Sequence, residues 1–249
     1  MKRLYSFGCS FTSLDWKNWC VSQYGYPPNK LYTEILADEL GLELIDSSYS
    51  ARGNNSILLD FASTSFEDDS LVILQLTGFN RLEFLSFDKD IQKNQTWCFD
   101  DYLKGPITTA SIKFGEGGDG FLSLEDSRMY FNFVTQFEKF FLINDLFNAN
   151  KLIKKKEAEN KGCKFLLLTI ENICNPIFNV DTEFYIRRKD LVNRINYNGF
   201  YEDNKEYIWK NWADENGINN QQMLNDYHLT EVGNKKVAEK LIGYVNSHY

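Results

Sequence analysis

Asp226-Tyr227-His228 stands just before the last amphipathic segment of the chain, and Cys9-Ser10 follows its first short apolar run. A carboxylate two residues from an imidazole in a loop can orient the ring and stabilise its charged form, which suits the ring to general-base work. A hydroxyl or thiol within reach of such a base becomes a nucleophile. The chain has two histidines, and the other, His248, is the penultimate residue, where chains fray. Base chemistry therefore falls to His228. Ser10 and Cys9 both qualify as its partner, and the alternation of side chains near a strand end lets one of the two point into a site. Each fragment also has a plainer reading. Ser10 can be a turn hydroxyl, Cys9 a small side chain packed beneath the turn, and Asp226-x-His228 a surface loop capping the next helix.

Two further fragments carry groups that stabilise an oxyanion. In Arg52-Gly53-Asn54-Asn55 the glycine lets a backbone N–H approach a ligand closely, and in Gly78-Phe79-Asn80-Arg81 the Asn80 side chain offers an amide. Arg52 and Arg81 flank these fragments. They suit either an anionic substrate or product, or surface ion pairing with nearby acids.

These residues need a scaffold that brings them together. Arg3–Phe7 reads as a short buried strand, Leu42–Ile45 as a second, Leu71–Leu76 as a third and Lys164–Ile170 as a fourth, all nearly continuously apolar. Between them lie helical patterns. Leu31–Leu40 stops at Gly41, Asn55–Phe66 is capped by Asn54 or Asn55, and Met129–Lys161 stops at Gly162. Glu231–Val245 closes the chain, with Val237, Leu241, Ile242 and Val245 on one side. Apolar strands alternating with helices predict an α/β fold with a parallel sheet covered on both faces. Ser10, Gly53 and Asn80 each follow a predicted strand, and Asp226/His228 precede the last helix. All would converge on the carboxyl edge of the sheet, where open α/β sheets hold ligands.

Two segments interrupt the alternation, at about 81–128 and 176–224. Segments of that length between core elements are usually functional loops or lids. No linker or repeat divides the chain, so residues 1–249 read as one domain with two insertions. Trp16, Trp19, Tyr24 and Tyr26 form an aromatic cluster after the Ser10 loop, suited to stacking on sugar rings or to packing, with packing expected of at least two of them. The loop GEGGDG lacks the acidic ligand density of a calcium site.

With a formal net charge of -8 and only Lys154-Lys155-Lys156 as a basic run, a nucleic-acid partner is disfavoured. No apolar run is long enough for a membrane span and no signal peptide is visible, so a cytoplasmic protein is expected. The five cysteines lack metal-ligand spacing, and neither a metal nor a cofactor is expected.

The four fragments together resemble the SGNH hydrolases, the GDSL lipase/esterase superfamily, whose blocks carry Ser, Gly, Asn and His. FGCSFT resembles the first block, ARGNNSI the second, LTGFNR the third and NDYHLTEVGNKKVAEKL the last, in the family's order along nearly the whole chain. The resemblance implies a three-layer α/β/α sandwich with a mainly parallel, flavodoxin-like sheet. It implies Ser10 as nucleophile, His228 as base and Asp226 as its orienter. The Ser10 and Gly53 N–H groups and the Asn80 amide would be the oxyanion donors. The implied activity is that of a serine esterase, such as an O-deacetylase of carbohydrate or other small acyl esters. Cys9 stands where the family commonly has Asp. Asn225 stands where most esterases have the orienting Asp, and the Asp226-x-His228 spacing resembles SGNH-like polysaccharide O-acetyltransferases. A transferase, or a non-catalytic carbohydrate-binding protein keeping the fold, are the other readings.

Overall fold

The structure is a computed structural model that describes residues 1–18, 30–50, 52–78, 143–170, 192–215, 217 and 228–249. Five parallel strands form its sheet among these residues: β1 (Arg3–Phe7), β2 (Glu43–Asp46), β3 (Leu71–Leu76), β4 (Lys164–Thr169) and β5 (Tyr197–Asn198). Their order is β2-β1-β3-β4-β5, the flavodoxin-like order of doubly wound sheets. Neighbours are paired in parallel throughout, with Leu4 opposite both Leu44 and Leu71, and Leu71 opposite Lys164.

Parallel neighbours require crossovers, and described helices, three of them within crossovers and one closing the chain, cover both faces. Strand residues alternate between two cores. Leu4, Leu71, Ile73, Leu166 and Leu168 pack with Tyr32, Leu36 and Ala37 of α1 (Tyr32–Leu40) and with Val237, Leu241 and Val245 of α5 (Glu231–His248). Tyr5, Phe7, Val72, Leu74, Phe165 and Leu167 pack on the other side. Their partners are Ile57, Leu58 and Phe61 of α2 (Asn54–Ser63) and Leu146, Ala149 and Ile153 of α3 (residues 143–159). The result is the expected three-layer α/β/α arrangement. All six residues of β3 are buried, as befits a strand enclosed on both faces.

The helix ends show where local sequence governs. Gly41 takes the left-handed conformation at φ 64° and its N–H bonds to the Ala37 and Asp38 carbonyls, ending α1 where the sequence predicts. At the start of α2 the prediction of an Asn54 or Asn55 cap is not met. Gly53 holds the cap position, with no side-chain cap bond. The Asn54 amide is engaged elsewhere: its Oδ1 accepts the Thr77 N–H at 2.8 Å and its Nδ2 donates to Asp145 Oδ2 at 2.7 Å. That helix also ends at Ser63, three residues early, because Phe66 turns into the core against Tyr5, Phe7 and Phe61.

The segment 176–224 holds more than a loop. Its described part supplies β5, a 3-10 helix (Glu202–Tyr207) and α4 (Trp209–Glu215). A strand of two residues, Tyr197 and Asn198, is too short to show alternation in the sequence. The first insertion, 81–128, lies outside the described residues. No described helix is long and apolar enough to cross a membrane.

Candidate active site

Ser10 lies in the turn that leaves β1. The turn closes through a Thr12 N–H bond to the Cys9 carbonyl at 2.9 Å. Gly8 permits it, since a Cβ there would stand 2.6 Å from Gln75 Oε1 and 2.8 Å from Thr12 Oγ1. Gln75 is the one polar residue of β3 and is fully buried. Its Oε1 accepts the Cys9 N–H at 3.2 Å and the Thr12 hydroxyl at 2.9 Å, and its Nε2 donates to the Leu76 carbonyl at 2.6 Å. A backbone N–H can only donate, so the amide orientation is fixed by its partners. The neighbouring strand thus holds the turn from below.

The turn sends its two candidate nucleophiles in different directions. Cys9 is fully buried in the core facing α1 and α5, with Sγ 3.6 Å from Gln75 Oε1. Ser10 Oγ instead lies 2.6 Å from His228 Nε2, across 218 positions of sequence. With the ring proton on Nδ1, the Ser10 hydroxyl donates to Nε2, the arrangement from which a base takes the proton.

His228 is set by the backbone on its carboxyl side. Its carbonyl accepts the Trp209 N–H at 2.9 Å, and the Thr230 N–H bonds to the Tyr207 carbonyl at 2.8 Å. Leu229 and Ile208 form an isolated antiparallel bridge between these pairs. Thr230 then caps α5, its hydroxyl accepting the Gly233 N–H at 3.4 Å. Part of the segment 176–224 is therefore the clamp on the histidine.

Aromatic rings complete the wall around the imidazole. Trp16 stacks on it with centroids 4.1 Å apart at 28°, and Phe11 lies 4.7 Å away at 38°. Phe11 in turn meets Phe200 and Tyr201 edge-on. Trp16 rides on a helical turn, residues 14–18, whose start is held twice. Ser13 Oγ accepts the Asp15 and Trp16 N–H groups at 3.1 and 3.4 Å, and Asp46 Oδ2 accepts the Leu14 N–H at 2.8 Å. Burial pushes the Asp46 carboxyl above the ordinary aspartate value, against the bonds it accepts from Leu14, Ser48 and Ser6. Of the aromatic cluster near the turn, Trp16 is buried as packing; Trp19, Tyr24 and Tyr26 lie outside the described residues.

Gly53 stands buried at the start of α2, with its N–H at the positive end of the helix. Arg52 is turned into the protein. It is 2 % exposed; its Nη2 lies 2.6 Å from Asp60 Oδ2, and its guanidinium bonds to the Ser47 carbonyl at 3.2 Å. The surface-pairing alternative is corrected in location, because the pair is internal. Asn80, Arg81, Asn225 and Asp226 lie outside the described residues. Among the described residues no three His, Cys, Asp or Glu side chains come together so as to hold a metal ion.

No protein-family model matches the chain, and no curated protein matches it. Solved structures do. A lipase from a goat rumen metagenome is similar at 12% identity and TM-score 0.48, with 98% of each chain covered. A psychrotrophic esterase from Pseudoalteromonas sp. is similar at 12% identity and TM-score 0.44, covering 99% of this chain and 98% of its own. A member of the lipolytic protein G-D-S-L family from Veillonella parvula is similar at 13% identity and TM-score 0.44, with 99% of each chain covered. These similarities extend over nearly the whole chain at low identity.

Proposed function

We propose that the protein is a serine esterase in which Ser10 is the nucleophile and His228 the general base. The observation that carries this is the 2.6 Å contact between Ser10 Oγ and His228 Nε2 at the carboxyl edge of a parallel sheet. His228 takes the Ser10 proton as Oγ bonds to the ester carbonyl carbon. The tetrahedral oxyanion is held by the Ser10 and Gly53 N–H groups and the Asn80 amide. The C–O bond to the alcohol then breaks, and the alcohol leaves with the proton from His228. Water, deprotonated by the same ring, attacks the acyl-serine, and the acid and free Ser10 result. Asp226 is assigned the orientation of His228. The substrate class that fits the family resemblance is a small acyl ester, such as an acetylated carbohydrate.

The test is hydrolysis of a short-chain nitrophenyl ester together with labelling by a fluorophosphonate. Ser10→Ala and His228→Ala should each abolish hydrolysis while the protein stays folded, and the label should be found on Ser10. Activity retained in either variant, or label on another residue, overturns the assignment.

A transferase reading has one observation in its favour, the Asp226-x-His228 spacing. Supplying an acyl donor with a glycan acceptor separates the two: acylated glycan supports transfer, and free acid alone at every acceptor concentration supports hydrolysis. A non-catalytic carbohydrate-binding protein has no use for a serine hydroxyl within bonding distance of an imidazole, so that reading is not favoured.

A further inference from the structure

The turn of Ser10 and the loop of His228 are joined below the site by a buried path of hydrogen bonds that passes through the covalent frame of Tyr32. It begins at Gln75 Oε1, which accepts the Thr12 hydroxyl at 2.9 Å. Thr12 Oγ1 lies 2.8 Å from the Tyr32 hydroxyl. The single Thr12 proton goes to Gln75, whose Oε1 can only accept, so the Tyr32 O–H donates to Thr12. Burial pushes the Tyr32 phenol well up, which keeps it protonated as that donor. The Tyr32 backbone N–H, at the start of α1, donates to Asn234 Oδ1 at 3.0 Å. Asn234 Nδ2 donates to the carbonyls of Leu229 and Thr230 at 3.2 and 3.0 Å, in the two residues after His228. Thr12, Tyr32 and Gln75 are fully buried and Asn234 is 1 % exposed.

We infer that Gln75, Thr12, Tyr32 and Asn234 are positioning residues that set the distance between Ser10 and His228. The inference rests on the esterase reading for its kinetic consequence, but the geometry it invokes is independent of the substrate. Ser10 is two residues from Thr12, and His228 is next to Leu229. α1 carries the link between them. Buried polar groups of this kind are held rigidly, because each lost bond leaves its partner unsatisfied in the core. Small displacements of a nucleophile from its base cost much in rate and little in ground-state binding. The unit touches neither substrate nor reacting atoms, so its signature is a loss in kcat with KM retained.

The experiment uses the full chain with Thr12→Val, Thr12→Ser, Tyr32→Phe and the double variant Thr12→Val/Tyr32→Phe. Nitrophenyl-ester kinetics are paired with 15N spectra of the two histidines, Ser10→Ala marking the His228 Nε2 signal without its serine partner. Thr12→Val and Tyr32→Phe should each lower kcat roughly tenfold or more with KM unchanged. Thr12→Ser should restore it, and the double variant should be no worse than Thr12→Val alone, which already lacks the Tyr32 bond along with the bond to Gln75. In both single variants the Nε2 signal should move toward its position in Ser10→Ala. Wild-type kcat in Thr12→Val, equal losses in Thr12→Val and Thr12→Ser, or an unmoved Nε2 signal overturns the inference. If the wild-type protein hydrolyses no ester, the esterase reading fails by itself, and the Nε2 signal alone decides the positioning unit. If Thr12→Val does not fold, Tyr32→Phe, which cuts the same bond from the other side, decides it.

Discussion

Trp16 lies flat against His228, ring centroids 4.1 Å apart, although 212 positions separate them in sequence (228 minus 16). The stack fixes the plane of the imidazole while Nε2 remains directed at Ser10. It also gains strength when the ring is charged, because an indole face attracts a cation. In the proposed reaction the ring is an imidazolium only after it takes the serine proton. An interaction stronger in the transition state than in the ground state acts on kcat. Aromatic pairs contribute about 0.5–1.5 kcal/mol beyond burial, so Trp16→Ala should lower kcat up to about tenfold with little change in KM. Trp16→Phe, which keeps a ring face, should retain most of the activity. Ester kinetics of the two variants check this, and equal activity of Trp16→Ala and wild type contradicts it.

Gly8 is required for space and not for an unusual backbone angle. The atoms a Cβ would meet, Gln75 Oε1 at 2.6 Å and Thr12 Oγ1 at 2.8 Å, are bonded to each other at 2.9 Å and cannot swing aside. Gly8→Ala must therefore move the turn or break that bond. A destabilisation of about 1–3 kcal/mol is expected. The loss of ester hydrolysis per folded molecule should exceed tenfold, about the effect of misplacing a reacting group. Urea unfolding and kinetics on the same preparation separate the two effects. Unchanged activity in a destabilised variant would show that the turn tolerates the shift.

The parts of the site that were legible in the sequence are those written in short fragments. FGCSFT ends a strand, and the paired apolar strands put Ser10 at the carboxyl edge. Gly41 sets a helix end through local geometry, and β1 and β3 run as their apolar stretches indicate. Gln75 is a signal that LVILQL carried openly, since an amide in a strand buried on both faces must have partners. The Asn54 cap failed for a non-local reason: Thr77 and Asp145 claim its amide, and neither is near it in sequence. β5 was not legible because two residues have no period. The bond from Tyr32 to Asn234 depends on how α1 and α5 lie side by side, which no single segment encodes.

Asp46 gives the fold a pH dependence of a particular sign. Burial raises its carboxyl in the folded state, and the bonds from Leu14, Ser48 and Ser6 only partly oppose this. The folded protein therefore holds this proton to higher pH than the unfolded chain does. Its contribution is present in full below the unfolded value and is lost as pH rises through the folded one. Asp46→Asn cannot ionise. Denaturant unfolding across the acid range should show the stability of wild type relative to Asp46→Asn falling as pH rises through that window. A difference that is flat or rises with pH rules out the assignment. Because Asp46 holds the Leu14 N–H, the variant also reports on the turn that carries Trp16.

Arg52 adjoins the Gly53 fragment, so its role bears on what the site selects. At 2 % exposure, with Nη2 2.6 Å from Asp60 Oδ2, its charge is engaged within the protein and tied to α2. Removing one member of a buried pair leaves the other charge uncompensated, which costs about 3 kcal/mol when the survivor is mostly enclosed. Arg52→Met keeps the apolar stem and deletes the charge. It should lower the unfolding free energy measured in urea by that amount and leave the ratio of kcat/KM between a neutral and an anionic short-chain ester as in wild type. Arg52→Met/Asp60→Leu removes both charges and should recover much of the lost stability, since well-packed apolar pairs replace buried ion pairs at little or no cost. A selective loss toward the anionic ester in Arg52→Met, with stability intact, would instead place the guanidinium in contact with substrate.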